Sequence, residues 1–99
     1  MVEHKILLVD DDRDLLEMLC SIFRRAGYTD LVTASSGQEA LQVWREQQPA
    51  LIVLDVMMPG MDGFEVLREI RRTSHVPVLM LTARGEAEDR IEGLDRKSV

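Results

Sequence analysis

The chain lacks several of the devices by which small proteins secure themselves or announce a role. It has one cysteine, Cys20, in 99 residues. No internal disulfide can form, and a lone thiol with no nucleophile signature around it reads as a small core residue. Basic residues are in deficit, 12 against 18 acidic, for a net charge of −6. That balance argues against nucleic acid or an anionic membrane as a direct partner, since both reward clustered Lys and Arg. The pairs Arg24-Arg25 and Arg71-Arg72 fall near expected helix ends, where cations are favoured in any case. No apolar run approaches the roughly eighteen residues of a membrane span, and no signal-peptide pattern opens the chain. His4 and His75 have no ligand-spaced partner and read as surface residues. No repeat, low-complexity stretch or linker divides the sequence. The expectation is one small cytoplasmic domain over residues 1–99.

What the sequence does have is alternation. Ile6-Leu7-Leu8-Val9, Leu51-Ile52-Val53-Leu54 and Val78-Leu79-Met80-Leu81 are unbroken apolar runs, which suit strands buried on both faces of a parallel sheet. A weaker strand is expected at Leu31-Val32-Thr33-Ala34. Between them, Leu15, Leu16, Leu19, Ile22, Phe23 and Ala26 recur at helical spacing, and Gly27 follows as a stop. Ser36 to Glu39 and Asp62 to Glu65 have capping-box spacing at the starts of two further helices. A last helix is expected from near Glu86, carrying Ile91 and Leu94. The order βαβαβαβα predicts an α/β fold: a doubly wound parallel sheet with helices on both faces. Ligands of such sheets sit beyond the carboxyl ends of the strands.

Those ends are chemically loaded. The first strand runs into Asp10-Asp11-Asp12, the third into Asp55 and the fourth into Thr82. Carboxylates crowded together raise each other's pKa unless a cation compensates them. An oxygen-only ligand set without His or Cys favours Mg2+, with Mn2+ as the substitute, over zinc. The acidic triplet also has a plainer reading as a turn with Asp12 as helix N-cap. Asp55 resists such a reading, because it follows four apolar residues directly and precedes a Pro-Gly loop. A carboxylate beside a divalent ion can attack phosphorus and form an acyl phosphate, and the Thr82 hydroxyl could bond the arriving phosphoryl group.

At this point three segments resemble one family. Ile6 to Asp12, Leu54-Asp55-Val56-Met57-Met58-Pro59-Gly60-Met61-Asp62-Gly63 and Met80-Leu81-Thr82-Ala83-Arg84 look like the receiver domains of two-component response regulators, over about residues 5 to 94. The resemblance implies a flavodoxin-like sheet of strand order 2-1-3-4, with Asp55 as phosphoacceptor. It implies a metal site formed by Asp10, Asp11, Asp55 and the backbone carbonyl of Met57. Thr82 would be the switch hydroxyl, Ala83 would leave room for the phosphoryl group, and Pro59 and Gly63 would shape the loop. The implied partner is a sensor histidine kinase or phosphotransfer protein. The wording around Thr82 to Leu94 resembles the branch that usually carries a winged-helix DNA-binding domain.

The chain departs from the family after Leu94. The fifth strand, its Lys-Pro dipeptide, the switch aromatic and the fifth helix have no counterpart, and Lys97 lacks the strand and proline that would mark the family's lysine. Its role is therefore not transferred to Lys97. Without that helix and strand, an uncovered face and an apolar edge at Val78 to Leu81 are expected, and with them self-association. Two other readings remain open. A receiver-like interaction module that no longer switches fits the shortened end. A haloacid-dehalogenase-type phosphotransferase also uses a strand-end aspartate, but wants a second acid where Met57 stands.

Overall fold

In the computed structural model, which describes residues 4–81, each apolar run within those residues is a strand and each amphipathic run within them a helix. The order is β1 (Ile6–Val9), α1 (Arg13–Arg25), β2 (Leu31–Ala34), α2 (Gly37–Gln47), β3 (Leu51–Asp55), α3 (Gly63–Arg71) and β4 (Val78–Leu81). The strands make one parallel sheet ordered β2-β1-β3-β4, the expected flavodoxin-like arrangement. The helix expected from Glu86, and the expected absence of a fifth strand and helix, lie outside the described residues.

Alternate residues of each strand serve opposite faces, which is why the runs show no polar gaps. Leu7, Val9, Ile52, Leu54, Val78 and Met80 pack with Ala40, Leu41 and Trp44 of α2 and Val66 and Ile70 of α3. Ile6, Leu8 and Val53 pack with Leu16 and Cys20 of α1, with Leu79 and Leu81 half-buried beside them. Cys20 is thus a core residue, and His4 and His75 are both exposed.

Local signals fix the helix starts. Asp12 caps α1, its side chain accepting from the N–H groups of Asp14 (3.0 Å) and Leu15 (3.3 Å). Asp62 and Glu65 form the full reciprocal box of α3. The expected box at α2 is only half made. Ser36 Oγ accepts from Glu39 N–H, but the Glu39 carboxylate reaches one residue further back, accepting from the N–H (2.9 Å) and hydroxyl (3.1 Å) of Ser35. On leaving α3 the chain is tied by Arg71, whose guanidinium donates to the carbonyls of Val76 (2.7 Å) and Ser74 (3.4 Å). Burial lowers the pKa of that guanidinium.

Helical spacing alone does not mark which apolar residues of α1 are buried. Ile22 has the helical spacing of a core residue yet is 54% exposed. The buried line of α1 runs through Leu16 and Cys20, and a position two residues beyond Cys20 lies about 200° further round the helix. Leu16→Ala should therefore cost about 2–4 kcal/mol in urea denaturation, while Ile22→Ala should cost less than about 1 kcal/mol. Equal losses would mean that α1 seats on the sheet by its Ile22 side.

Candidate functional site

The register of the sheet assembles the site. Val9 stands beside Leu54, so the next residues along each strand, Asp10 and Asp55, are neighbours at the carboxyl edge. On the other side of β3, Asp55 stands beside Leu81, and the Leu81 carbonyl accepts from Val56 N–H at 2.8 Å. β4 therefore ends next to Asp55, as the sequence implied. Thr82 and Ala83 themselves lie outside the described residues, as does Lys97.

Asp10 and Asp55 are almost fully covered, at 3% and 7% exposure, whereas Asp11 is exposed. Asp10, Asp11 and Asp55 each bring one carboxylate oxygen into a cluster within 4.8 Å of one another. Asp12 does not join them, being turned to its capping bonds. The three consecutive acids thus divide between a site and a helix start.

The carboxylates are held from below by backbone. Asp10 Oδ1 accepts from Asp12 N–H at 2.9 Å, and Asp55 Oδ1 accepts from Met57 N–H at 3.2 Å. Met57 is exposed and contributes this N–H bond. Burial pushes the Asp55 carboxyl up to about 6, with the Asp10 and Asp11 charges adding to the rise and the Met57 N–H opposing it. Asp10 is also raised above the ordinary carboxylate range, chiefly by burial, against the pull of Asp12 N–H. Among the described residues the ion pairs are Lys5–Asp30 and Arg72–Glu69, neither at this edge. A cluster of oxygen donors, two of them buried with raised pKa, to which no basic side chain among the described residues is paired, fits a hard divalent cation.

A contact that the sequence alone did not give as such secures Asp55 from behind. A Cβ built at Gly63 would strike the Asp55 carbonyl oxygen and come within 2.8 Å of Val56 Cα. Gly63 N–H also donates to the Val56 carbonyl at 3.0 Å. The first turn of α3 thus lies directly against the peptide that carries Asp55, and only glycine permits that approach. A cleft of about 860 Å3 opens elsewhere, between α1 and α2 along the outer edge of β2, but none of the three carboxylates lines it.

Comparison with known proteins bears on the family and the fold. Residues 6–98 match the family described as response regulator receiver domain. The transcriptional regulatory protein CpxR homolog of Haemophilus influenzae is 53% identical over 91 residues, covering 92% of this chain and 39% of that protein. The transcriptional regulatory protein AfsQ1 of Streptomyces coelicolor is 48% identical over 90 residues, covering 91% of this chain and 40% of its own length. The chain therefore spans about two fifths of the length of such relatives. Among solved structures, the N-terminal domain of a response regulator receiver protein from Methanoculleus marisnigri superposes with a TM-score of 0.82 at 34% identity, covering 95% of this chain and 78% of that one.

The raised pKa of Asp55 has a signed consequence. A folded-state carboxyl held near 6 adds stability below its unfolded value of 3.8, and that contribution is lost as pH rises through 6. Metal-free Asp55→Asn should therefore be more stable than the parent at pH 7.5, by on the order of 2 kcal/mol. The difference should shrink as pH falls through about 6 towards 4. Paired urea melts across that range test it, and a gap independent of pH would contradict the assignment.

Proposed function

The chain belongs to the response regulator receiver domain family, and from that premise we propose that it accepts a phosphoryl group on Asp55 from the phosphohistidine of a sensor kinase or phosphotransfer protein. The observation that carries this reading is the burial of Asp55 at the carboxyl end of an apolar strand, with a carboxylate oxygen within 4.8 Å of those of Asp10 and Asp11. An Asp55 carboxylate oxygen attacks phosphorus, the P–N bond of the donor breaks, and its electron pair stays with the imidazole, which takes up a proton. With a small acyl phosphate the P–O bond breaks instead, and a carboxylate leaves. Asp55 must be ionised to attack, so its raised pKa is a cost that a bound cation removes. Asp10, Asp11, Asp55 and the Met57 carbonyl would hold Mg2+, or Mn2+ in its place, which supplies positive charge to the phosphoryl oxygens.

In the same reading Thr82 bonds the phosphoryl group and Ala83 gives it space. The chain acts as a signalling domain, consuming its own Asp55 stoichiometrically rather than turning over a substrate. Residues 1–99 would form this one receiver unit in the cytoplasm. Its acidic balance keeps nucleic acid from being a direct partner, and no helix among the described residues is long and apolar enough to cross a membrane.

Three outcomes test this reading. Mg2+ at millimolar concentration should raise the melting temperature, since binding to the folded state alone stabilises it. Asp11→Ala should abolish that gain; melting curves that ignore magnesium in both proteins would remove the metal site. Incubation with Mg2+ and acetyl phosphate, followed by peptide mass spectrometry, should place the modification on Asp55 and on no other residue, and Asp55→Asn should take none. An unmodified parent protein that still binds a kinase would instead favour the interaction-module reading. The 99-residue chain on its own should also self-associate through β4, which among the described residues pairs only with β3. Sedimentation showing a monomer throughout the micromolar range would overturn that part.

A further inference from the structure

The loop from Val56 to Asp62, which joins β3 to α3, is clasped from a second side. Gly37, the first residue of α2, is buried against it. A Cβ built there would lie 2.9 Å from the Met61 carbonyl oxygen, 2.9 Å from Val66 Cγ2 and 3.0 Å from Met61 Cβ. The nearest of these atoms is backbone, so a side chain at 37 could be accommodated only by moving the loop or the helix. Met61 stands two residues before Gly63, which lies against the Asp55–Val56 peptide. The two glycines thus form a stack: α2 presses on the loop at Met61, and α3 presses on the strand end at Asp55.

We propose that Gly37 is a positioning residue for the carboxylate site: its missing side chain lets α2 set the height of the β3–α3 loop, and with it the Met57 backbone and the Asp55 carboxylate. Gly37 touches none of the three carboxylates and acts through Met61 and Gly63. Residues that orient metal ligands without contacting the ion commonly change affinity by about 10- to 100-fold when altered, and Gly37 stands at the lower end because it acts through a loop. The inference rests on the function proposed above only for its phosphoryl-transfer consequence; the positional claim stands on geometry alone.

The test compares Gly37→Ala with Ile70→Val, a small deletion in the core that lowers stability at the end of α3 far from the loop. In metal-free protein, the amide chemical shifts of Asp55, Val56 and Met57 should move in Gly37→Ala and stay in place in Ile70→Val. The Mg2+ dissociation constant should rise about tenfold in the first and remain unchanged in the second. At saturating Mg2+, the rate of Asp55 modification by acetyl phosphate should fall only in the first. Should Gly37→Ala be too unstable to study, the double variant with Val66→Ala removes one of the crowding atoms and keeps the overlap with the Met61 carbonyl. Shifts confined to α2, with parental magnesium affinity, would overturn the proposal and leave Gly37 a packing residue. A parent protein that binds Mg2+ yet forms no acyl phosphate would defeat the proposed function instead, while the shift and affinity measurements still decide the role of Gly37.

Discussion

Two carboxylates, those of Asp10 and Asp55, stand at the ends of adjacent parallel strands, both nearly sealed from water. Like charges so placed repel, and burial removes the solvent that would screen them, so each tends to keep its proton. The fold meets this strain with directed backbone dipoles, the N–H groups of Asp12 and Met57, rather than with an arginine or lysine drawn from the described residues. Backbone donors orient the carboxylates without cancelling their charge. Among the described residues the site is thus left in want of positive charge, a condition suited to holding a cation.

Holding those carboxylates in register imposes requirements on the rest of the chain. β1 and β3 must be flush, which the pairing of Ile6 with Leu51 through Val9 with Leu54 achieves. The strands must be apolar on both faces, because α1 covers one and α2 with α3 the other. The turn after β3 must be rigid although it carries no regular structure. That rigidity comes from the capping box of Asp62 and Glu65 at its far end and from the close approach of Gly63 at its near end.

Much of this was legible in the sequence, for reasons that can be named. Asp55 stood out because a charge directly after Leu51-Ile52-Val53-Leu54 has no solvent-facing excuse. The weak strand at Leu31 to Ala34 was placed correctly because β-branched residues and the spacing of its neighbours left little else for it to be. The acidic triplet was harder: composition cannot say which of Asp10, Asp11 and Asp12 turns inward, and only the start of α1 makes Asp12 a cap. The exposure of Ile22 was not legible, because a period of three and four marks an apolar stripe without marking its centre. Gly37 and Gly63 carried no warning of what presses on them, since the need for glycine there arises from tertiary approach and not from a turn. The bond from Glu39 to Ser35 was missed by one residue, a difference that sequence spacing does not resolve.

That last bond has a bearing on how the sheet can be extended. Asp30 and Ala34 spend their carbonyls on β1, so by strand alternation it is Leu31, Thr33 and Ser35 whose amides face outward along the free edge of β2. The Glu39 carboxylate already occupies the outward amide of Ser35, so of these three only the amides of Leu31 and Thr33 would be left to a strand added beside β2. The β2 margin is thus capped at its carboxyl end. A ladder built along β2 therefore stops at Thr33, which limits how far edge-to-edge pairing can run on that side of the sheet.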